Sequence, residues 1–574
     1  MNLRSEDAKA DEATTTVPAQ REELVVTGDV RVSGGVLRFV ERHGPLLALG
    51  IVAVGLYLRL PGFFGWWLNP DEGIYYSTVT QPSFENFWGE VRITAHPPLY
   101  FLILRGVGHL TTDFAGLRLI ALVSGCVAIY TFVLAGREIG EQGSRGWLTG
   151  LVSGLLLAVA PRAVELSQLI RPYMFLVALL SCALYLLLRY LRQPRGGLLI
   201  GYAACATAAA LTHYSAMLAL GAMGVLVLVD GALRGVARSE WHRLLAAQVV
   251  PVLAIFTLYL LHLRNLMSLQ VVENATQGWL SAYMIRDVGD ALISLVGFHS
   301  MLAGEVLAVS TAALTLGALG LAAWRCEWTP LIVGASGLLI ATAGATAGLY
   351  PFGATRHTSW LLVLVVPLLG WSLTMMFSSG RRIAAASAAA LAVIWLGGTG
   401  IGGLLGTGIP VELNEHVLRR GHLGAMSEVL DPKAPPSLVF MSVETYQLLL
   451  PLYASERQAA RRSRDGALVH FEWGARDVIV FPTRDFTARP DQVGYPNHLY
   501  TVAQKAAVEF PDISVQDVNS ILVLAGGWRS QGMTDLAEMV RSSESLGTGM
   551  AVPGLIAVEL DMAAYIRALS GDRE

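Results

Sequence analysis

Residues 45–79 read PLLALGIVAVGLYLRLPGFFGWWLNPDEGIYYSTV. The first part, 45–60, is an apolar run of the kind that crosses a bilayer, where a spanning helix takes about 20 mostly apolar residues. The second part changes character at once. Two tryptophans, Trp66 and Trp67, suit the membrane–water boundary. Asn69-Pro70 then makes a turn, and Asp71 and Glu72 fall in the first turn of a following helix, where the helix dipole favours negative charge. A membrane helix that leaves the bilayer straight into an acid pair sets the pattern for the chain.

Ten more apolar runs follow, near 115–136, 146–161, 172–190, 197–212, 213–233, 243–263, 303–324, 328–349, 358–378 and 383–407. Together they predict a polytopic α-helical membrane protein with about 11 transmembrane helices. Gly and Ala are common in these runs, which suits close helix packing in lipid. Composition agrees. Of 574 residues 53% are hydrophobic and only 15% charged, against about 25% charged in soluble domains. Residues 44–410 hold 15 of the 44 acids and 20 of the 41 bases. A cytosolic enzyme, a nucleic-acid binder and a disordered scaffold are excluded by that distribution. The four cysteines (Cys126, Cys182, Cys205, Cys326) lie in or beside apolar runs with no metal or redox spacing, so no disulfide framework is expected.

Three regions result. Residues 1–43 are polar without apolar period and are predicted to be a disordered cytoplasmic N-terminus. With no cleavable signal pattern there, the first apolar run is expected to act as an uncleaved anchor. Residues 44–410 form the transmembrane domain, with a first outer loop at 61–114. Residues 411–574 alternate β-rich runs (Ser437–Phe440, Val478–Phe481, Ser520–Leu524, Gly554–Glu559) with helical patterns (Glu444–Leu452, Thr534–Val540). This predicts an extracytoplasmic α/β domain with a mainly parallel sheet. No internal repeat is visible.

The arginines set the orientation. With the N-terminus inside, the inner loops collect Arg137 and Arg145, then Arg189, Arg192 and Arg195, then Arg234, Arg238 and Arg243, then Arg325, then Arg381 and Arg382. The outer side receives 61–114, the 162–171 turn, 264–302, Tyr350–His357 and the tail. The stretch PPLYFLILRGVGHL at 97–110 is then a short surface helix rather than a span.

The outer face holds the candidate chemistry. Asp71 and Glu72 either cap a helix or act as acids and bases. His96 precedes Pro97-Pro98, which fix the start of the surface helix. Arg171 and Tyr173 lie in SQLIRPY, and Arg356 and His357 in YPFGATRH; both arginines run against the charge bias. Thr212-His213-Tyr214 marks a further outer junction. A carboxylate here is suited to take a proton from an acceptor hydroxyl. The arginines are suited to hold a phosphate by bidentate hydrogen bonds and stabilise it as a leaving group.

These motifs resemble the GT-C superfamily of membrane glycosyltransferases, and within it the bacterial relatives of protein O-mannosyltransferases and lipid A aminoarabinose transferases. The likeness is carried by Asp71-Glu72 after the first helix, HPPLYF at 96–101, SQLIRPY at 167–173, LTHY at 211–214 and TRHTSWLLVLVVP at 355–367. It implies a GT-C type fold, and a polyprenyl-phosphate monosaccharide as donor. The acceptor would be a lipid, a cell-envelope glycan or a protein, and sugar transfer would invert the anomeric centre. It implies Asp71 as catalytic base, with Glu72 in support through orientation or acceptor contact. His96 would lie near the donor phosphate or a metal. Arg171, Tyr173, Arg356 and His357 would bind the phosphate or organise the site. The likeness makes no cofactor certain and leaves a divalent metal open. Three positions depart from the family pattern: residues 95 and 169, where some relatives carry acids, are Ala and Leu, and His357 stands where a Tyr often follows the late-motif Arg. Glu165 lies near the second. The competing reading is a transporter or flippase for a lipid-linked or envelope precursor, which would place its charges at mid-membrane and often show inverted repeats. A non-catalytic scaffold presenting the tail is a third.

Overall fold

The computed structural model describes residues 31–141, 143–235, 237–268, 279–379, 418, 420–453, 460–464, 467–481, 495–513, 520–526, 547–561 and 563–564. The described residues open with α1 (Arg31–Gly65), which corrects the expectation of disorder for 31–43 because the first apolar helix extends back through them; α2 (Pro70–Val79), α3 (Phe84–Ile93) and α4 (Pro98–Gly108) of the first loop follow. The bundle continues with α5 (Phe114–Ile139), α6 (Gly143–Val159), α7 (Pro161–Leu166), α8 (Tyr173–Arg192), α9 (Gly196–Ala210), α10 (Ala216–Arg234) and α11 (Arg238–Leu258). A π-helical turn at Tyr259–Leu263 leads into α12 (Arg264–Ser268). Then come α13 (Val288–Ala303), α14 (Glu305–Trp324), α15 (Trp328–Thr346), a 3₁₀ turn at Arg356–Leu361 and α16 (Leu362–Phe377).

Among the described residues, eight helices are long and apolar enough to cross a membrane: α1, α5, α8, α10, α11, α14, α15 and the 3₁₀ turn with α16. Two further expected spans are helices of less than full length, α6 with 17 residues and α9 with 15. The eleventh expected span, 383–407, lies outside the described residues. Among the helices that the sequence reading did not predict is α13, whose 16 residues occupy part of the stretch read as outer loop. The predicted short helix at 97–110 is α4, of 11 residues.

Small residues bring the helices together. A Cβ on Gly150 would lie 2.3 Å from the Val133 carbonyl oxygen, and one on Gly370 would lie 2.2 Å from the Ser153 hydroxyl. Thus α5, α6 and α16 touch almost backbone to backbone. At one end of α5, Glu138 pairs with Arg189 at 3.1 Å and Arg192 at 3.6 Å, and Arg137 lies over the Trp147 ring at 4.3 Å. The candidate chemistry lies at the other end.

That other end is organised by buried arginines. In α1, Arg59 is fully buried and donates to Ser167 Oγ at 2.9 Å and to the Ala158 carbonyl at 2.9 Å. It thereby satisfies a carbonyl at the end of α6 and fixes the start of the 167–171 turn. In α4, Arg105 lies over the Phe87 ring and donates to the carbonyls of Val79 and Gln81, which ties the three loop helices together.

The C-terminal region comprises α17 (Arg420–Ala425), α18 (Ser427–Leu430), β1 (Leu438–Ser442), α19 (Val443–Tyr453), β2 (Arg461–Arg462), β3 (Val469–Trp473) and β4 (Arg476–Phe481). After these come α20 (Tyr495–Glu509), β5 (Ser520–Gly526), β6 (Gly547–Val552) and β7 (Leu555–Asp561). The sheet order is β2-β3-β4-β1-β5-β7-β6. Only β1 pairs in parallel, with β4 and with β5; the other four pairings are antiparallel. The expectation of a mainly parallel sheet is corrected to a mixed sheet. The runs read from sequence are its apolar inner strands. The outer strands β2 and β6 are short, exposed or glycine-bearing and carry no such signal. The predicted helix Glu444–Leu452 is α19, whereas Thr534–Val540 lies outside the described residues.

One face of the sheet packs against α20. The other shares a continuous core with the first loop, in which Val439, Met441, Leu448 and Leu449 meet Tyr75, Tyr76, Phe101 and Leu104. The contact is close. Trp67 Nε1 donates to the Leu448 carbonyl at 2.7 Å, and a Cβ on Gly73 would come within 2.6 Å of the Gln447 carbonyl oxygen. The tail therefore seats directly on the helix that carries Asp71. Gly73→Val should overpack this joint and cost about 1–3 kcal/mol. The check is amide hydrogen exchange, which should rise across 443–453 in the variant; unchanged protection there would contradict the docking role of Gly73.

Candidate active site

The start of α2 separates the two neighbouring acids. Asn69 is the N-cap: its side chain accepts from the Glu72 N–H at 2.9 Å, and the Glu72 carboxylate accepts from the Asn69 N–H at 3.1 Å. This capping box, with Pro70 opening the helix, aims Glu72 inward. Adjacent helical residues point about 100° apart, so Asp71 faces elsewhere.

Glu72 is fully buried and committed. Arg118 of α5, also fully buried, grips it in a bidentate pair, Nε to Oε1 at 2.9 Å and Nη2 to Oε2 at 2.8 Å. The Ile170 N–H donates to Oε1 at 2.8 Å. Arg118 also donates to the carbonyls of Trp66 and Trp67. Glu72 therefore joins the end of α1, the start of α2, α5 and the 167–171 turn in one buried node. Its geometry fits the capping reading together with a positioning role.

Asp71 faces two guanidinium groups. Arg356 pairs with its Oδ2, and Arg171 Nη2 lies 3.6 Å from the same oxygen. Arg171 also donates to the Asp71 carbonyl at 3.2 Å and to the Tyr173 hydroxyl at 3.3 Å, and lies 5.1 Å from the centre of the Tyr75 ring. Burial pushes the Asp71 carboxyl up, but the charges of Arg171 and Arg356 and the Arg356 hydrogen bond outweigh it. The group is held below the usual carboxylate range and is ionised at neutral pH.

Beside this trio stands a group of imidazoles and phenols. His96 comes from the turn before α4, His213 from the turn before α10 and His357 from the 3₁₀ turn. Ring centroids separate His96 from His213 by 4.9 Å, His213 from His357 by 5.9 Å and Tyr173 from His357 by 5.8 Å. The Leu99 N–H donates to the Leu211 carbonyl at 3.0 Å and so fixes the first turn against the second. Burial, and then the neighbouring His213 and Arg171, push the His96 imidazole well below its usual value, which leaves it neutral. Several buried polar atoms here meet no hydrogen-bond partner: Tyr75 Oη, Tyr100 Oη, His96 Nδ1, His213 Nε2 and Arg171 Nε. Buried polar groups are nearly always satisfied, so this concentration marks a place built for a polar ligand.

The structure thus brings Asp71, His96, Arg171, Tyr173, Arg356 and His357 to one place and turns Glu72 away from it. Glu165 is engaged by Arg162 at 2.7 Å instead. Sequence reading gave no weight to Arg118, although a lone arginine inside an apolar run is itself a signal for a buried acid partner. A divalent metal does not fit the residues present. Among the described residues no group of three or more His, Cys, Asp and Glu side chains is placed to hold one. The Asp71 carboxylate already faces two guanidinium charges, and residues 95 and 169 supply no further acid.

Comparison with known proteins agrees with this architecture. The sequence pattern of the dolichyl-phosphate-mannose-protein mannosyltransferase family matches residues 95–262, which include His96, Arg171, Tyr173 and His213. No curated protein matches the chain. Among solved structures, ArnT from Cupriavidus metallidurans bound to undecaprenyl phosphate is similar over 90% of this chain and 98% of its own, with 15% identity and a TM-score of 0.51. The same protein in its apo state gives 14% identity and a TM-score of 0.52 over the same shares. The chain has the fold of ArnT, a polytopic helical bundle carrying a C-terminal α/β region.

Proposed function

We propose that this protein is an inverting membrane glycosyltransferase. It moves a monosaccharide from a polyprenyl-phosphate donor to a hydroxyl of a lipid, cell-envelope glycan or protein acceptor. The observation that carries the reading is the Asp71 carboxylate set between Arg171 and Arg356, beside unpartnered buried polar atoms, at one end of a lipid-embedded bundle.

In this reading Asp71 takes the proton from the acceptor hydroxyl. The acceptor oxygen attacks the anomeric carbon from the face opposite the phosphate and forms the new glycosidic bond. The bond from that carbon to the phosphate oxygen breaks, and its electron pair leaves with the polyprenyl phosphate. Arg171 and Arg356 offset the charge that gathers on that phosphate, assisted by His96, Tyr173 and His357 as neutral donors or orienting groups. The two arginines also link donor loading to base strength. An incoming phosphate draws the guanidinium groups from Asp71 and so makes the carboxylate more basic when the sugar is in place.

Glu72 supports Asp71 only indirectly, by holding α2 and the 167–171 turn. The arginine-rich ends of α5 and α8 would face the cytoplasm, and the site and tail would lie outside, in a cell membrane. A charge cluster at one interface favours transfer over transport.

The test is to incubate the purified protein with labelled polyprenyl-phosphate sugars and a membrane extract. Label should pass to an acceptor and free polyprenyl phosphate should appear. Movement of intact donor between leaflets without cleavage would favour the flippase reading instead. Acid behaviour gives a further check. Because Arg356 helps hold Asp71 low, Arg356→Gln should move the acid limb of kcat/KM to higher pH, since Asp71 then protonates sooner as pH falls. An acid limb that stays in place or moves lower would contradict the pairing.

A further inference from the structure

His213 has so far entered only as a neighbour, yet its ring lies in the middle of the cluster, 4.9 Å from His96, 5.2 Å from Tyr173 and 5.9 Å from His357 between ring centroids. Its two nitrogens differ. The Ser215 N–H donates to His213 Nδ1 at 3.1 Å, and Ser215 Oγ lies 2.8 Å from the same atom. A ring nitrogen that accepts a backbone N–H has a free lone pair, so the proton of the neutral ring sits on Nε2. Burial, with Arg171 and Arg356 close by, lowers the His213 pKa to about 3, and the ring keeps this neutral form at working pH. Its Nε2–H is buried and has no acceptor, and Arg171 Nε is likewise a buried donor without one. Two unsatisfied donors, one on a cation, ask for an anionic oxygen.

We propose that His213, held as the Nε2–H tautomer by Ser215, donates a hydrogen bond to a non-bridging oxygen of the donor's phosphate, beside Arg171. A third cation at this point would add charge that the lone Asp71 has to balance in the unloaded protein. A neutral imidazole supplies the hydrogen bond without that charge. The proposal rests on the lipid-phosphate reading given above and adds a binding residue to it.

The experiment titrates the purified full-length protein with undecaprenyl phosphate and, separately, with undecaprenol, which has the same tail and no phosphate. Wild type is compared with His213→Leu, His213→Gln and His213→Asn, and each variant is also melted thermally. His213→Leu should weaken phosphate binding by roughly ten- to hundredfold, the usual effect of one hydrogen bond to a charged group. Binding of the alcohol should not change. His213→Gln places an amide nitrogen near the position of Nε2 and should keep most of the affinity, whereas the shorter Asn should not. Equal phosphate affinity in wild type and His213→Leu overturns the proposal. Equal loss of both ligands in all three variants, or a lower melting temperature that accounts for the loss, also overturns it in favour of a packing role. A wild type that does not prefer the phosphate to the alcohol overturns the lipid-phosphate reading itself, and the His213 assignment with it.

Discussion

Asp71→Asn is expected to lower transfer by about 10²–10⁴-fold, the range that a positioned general base contributes. Asparagine has nearly the same shape but cannot take the acceptor proton. A second consequence separates this from simple damage. In the wild-type protein Arg171 and Arg356 both lie against the Asp71 carboxylate, so an incoming phosphate has to compete with it. Without that charge, the variant should bind undecaprenyl phosphate at least as tightly as wild type while turning over far more slowly. Affinity and rate would then move in opposite directions, which neither misfolding nor loss of a phosphate ligand produces. Weaker binding together with slower turnover would instead make Asp71 part of the donor site.

Glu72→Ala should act on stability rather than on chemistry. The Arg118–Glu72 pair is fully buried, and removing one partner of such a pair costs about 3–5 kcal/mol because the other charge is left uncompensated. The loss also frees the Ile170 N–H and the Asn69 N–H, two donors that fix the turns carrying Arg171 and Asp71. Thermal melting of the purified protein should therefore fall sharply. Arg118→Met should be costly as well, since the Trp66 and Trp67 carbonyls lose their donor. The two replacements should fail to add, because each removes the same pair. A Glu72→Ala protein that melts like wild type but has lost activity would restore Glu72 to a direct catalytic role.

Much of this architecture is written in the sequence because membranes impose a simple code. Apolar length gave the spans, and arginine placement divided the loops into two sets. The first loop, the 167–173 turn and the 355–357 turn were placed together by that division, and their side chains do meet. What escaped depends on helix phase and on partners far away in the chain. Asp71 and Glu72 read as one acidic pair, yet the capping box turns them apart, and the arginine that receives Glu72 is 46 residues away in a helix read only as a span. His213 carries no charge and belongs to a short outer junction. Its place becomes visible only when the turns before α4, α8 and α10 close on one another. In the tail the inner strands were legible as continuous apolar runs, whereas the edge strands β2 and β6 were too short or too exposed to register and β3 interrupts its apolar residues with His470 and Glu472.

The most direct measurement uses the purified protein in lipid nanodiscs with a polyprenyl-phosphate sugar and its acceptor. Released polyprenyl phosphate and the anomeric configuration of the product are determined together, for wild type and for Asp71→Asn. The expected result is one lipid phosphate released per sugar transferred, an inverted anomeric centre, and near-complete loss of both products in the variant. Retained configuration, transfer without release of the lipid monophosphate, or equal turnover by Asp71→Asn would contradict an inverting transfer driven by Asp71.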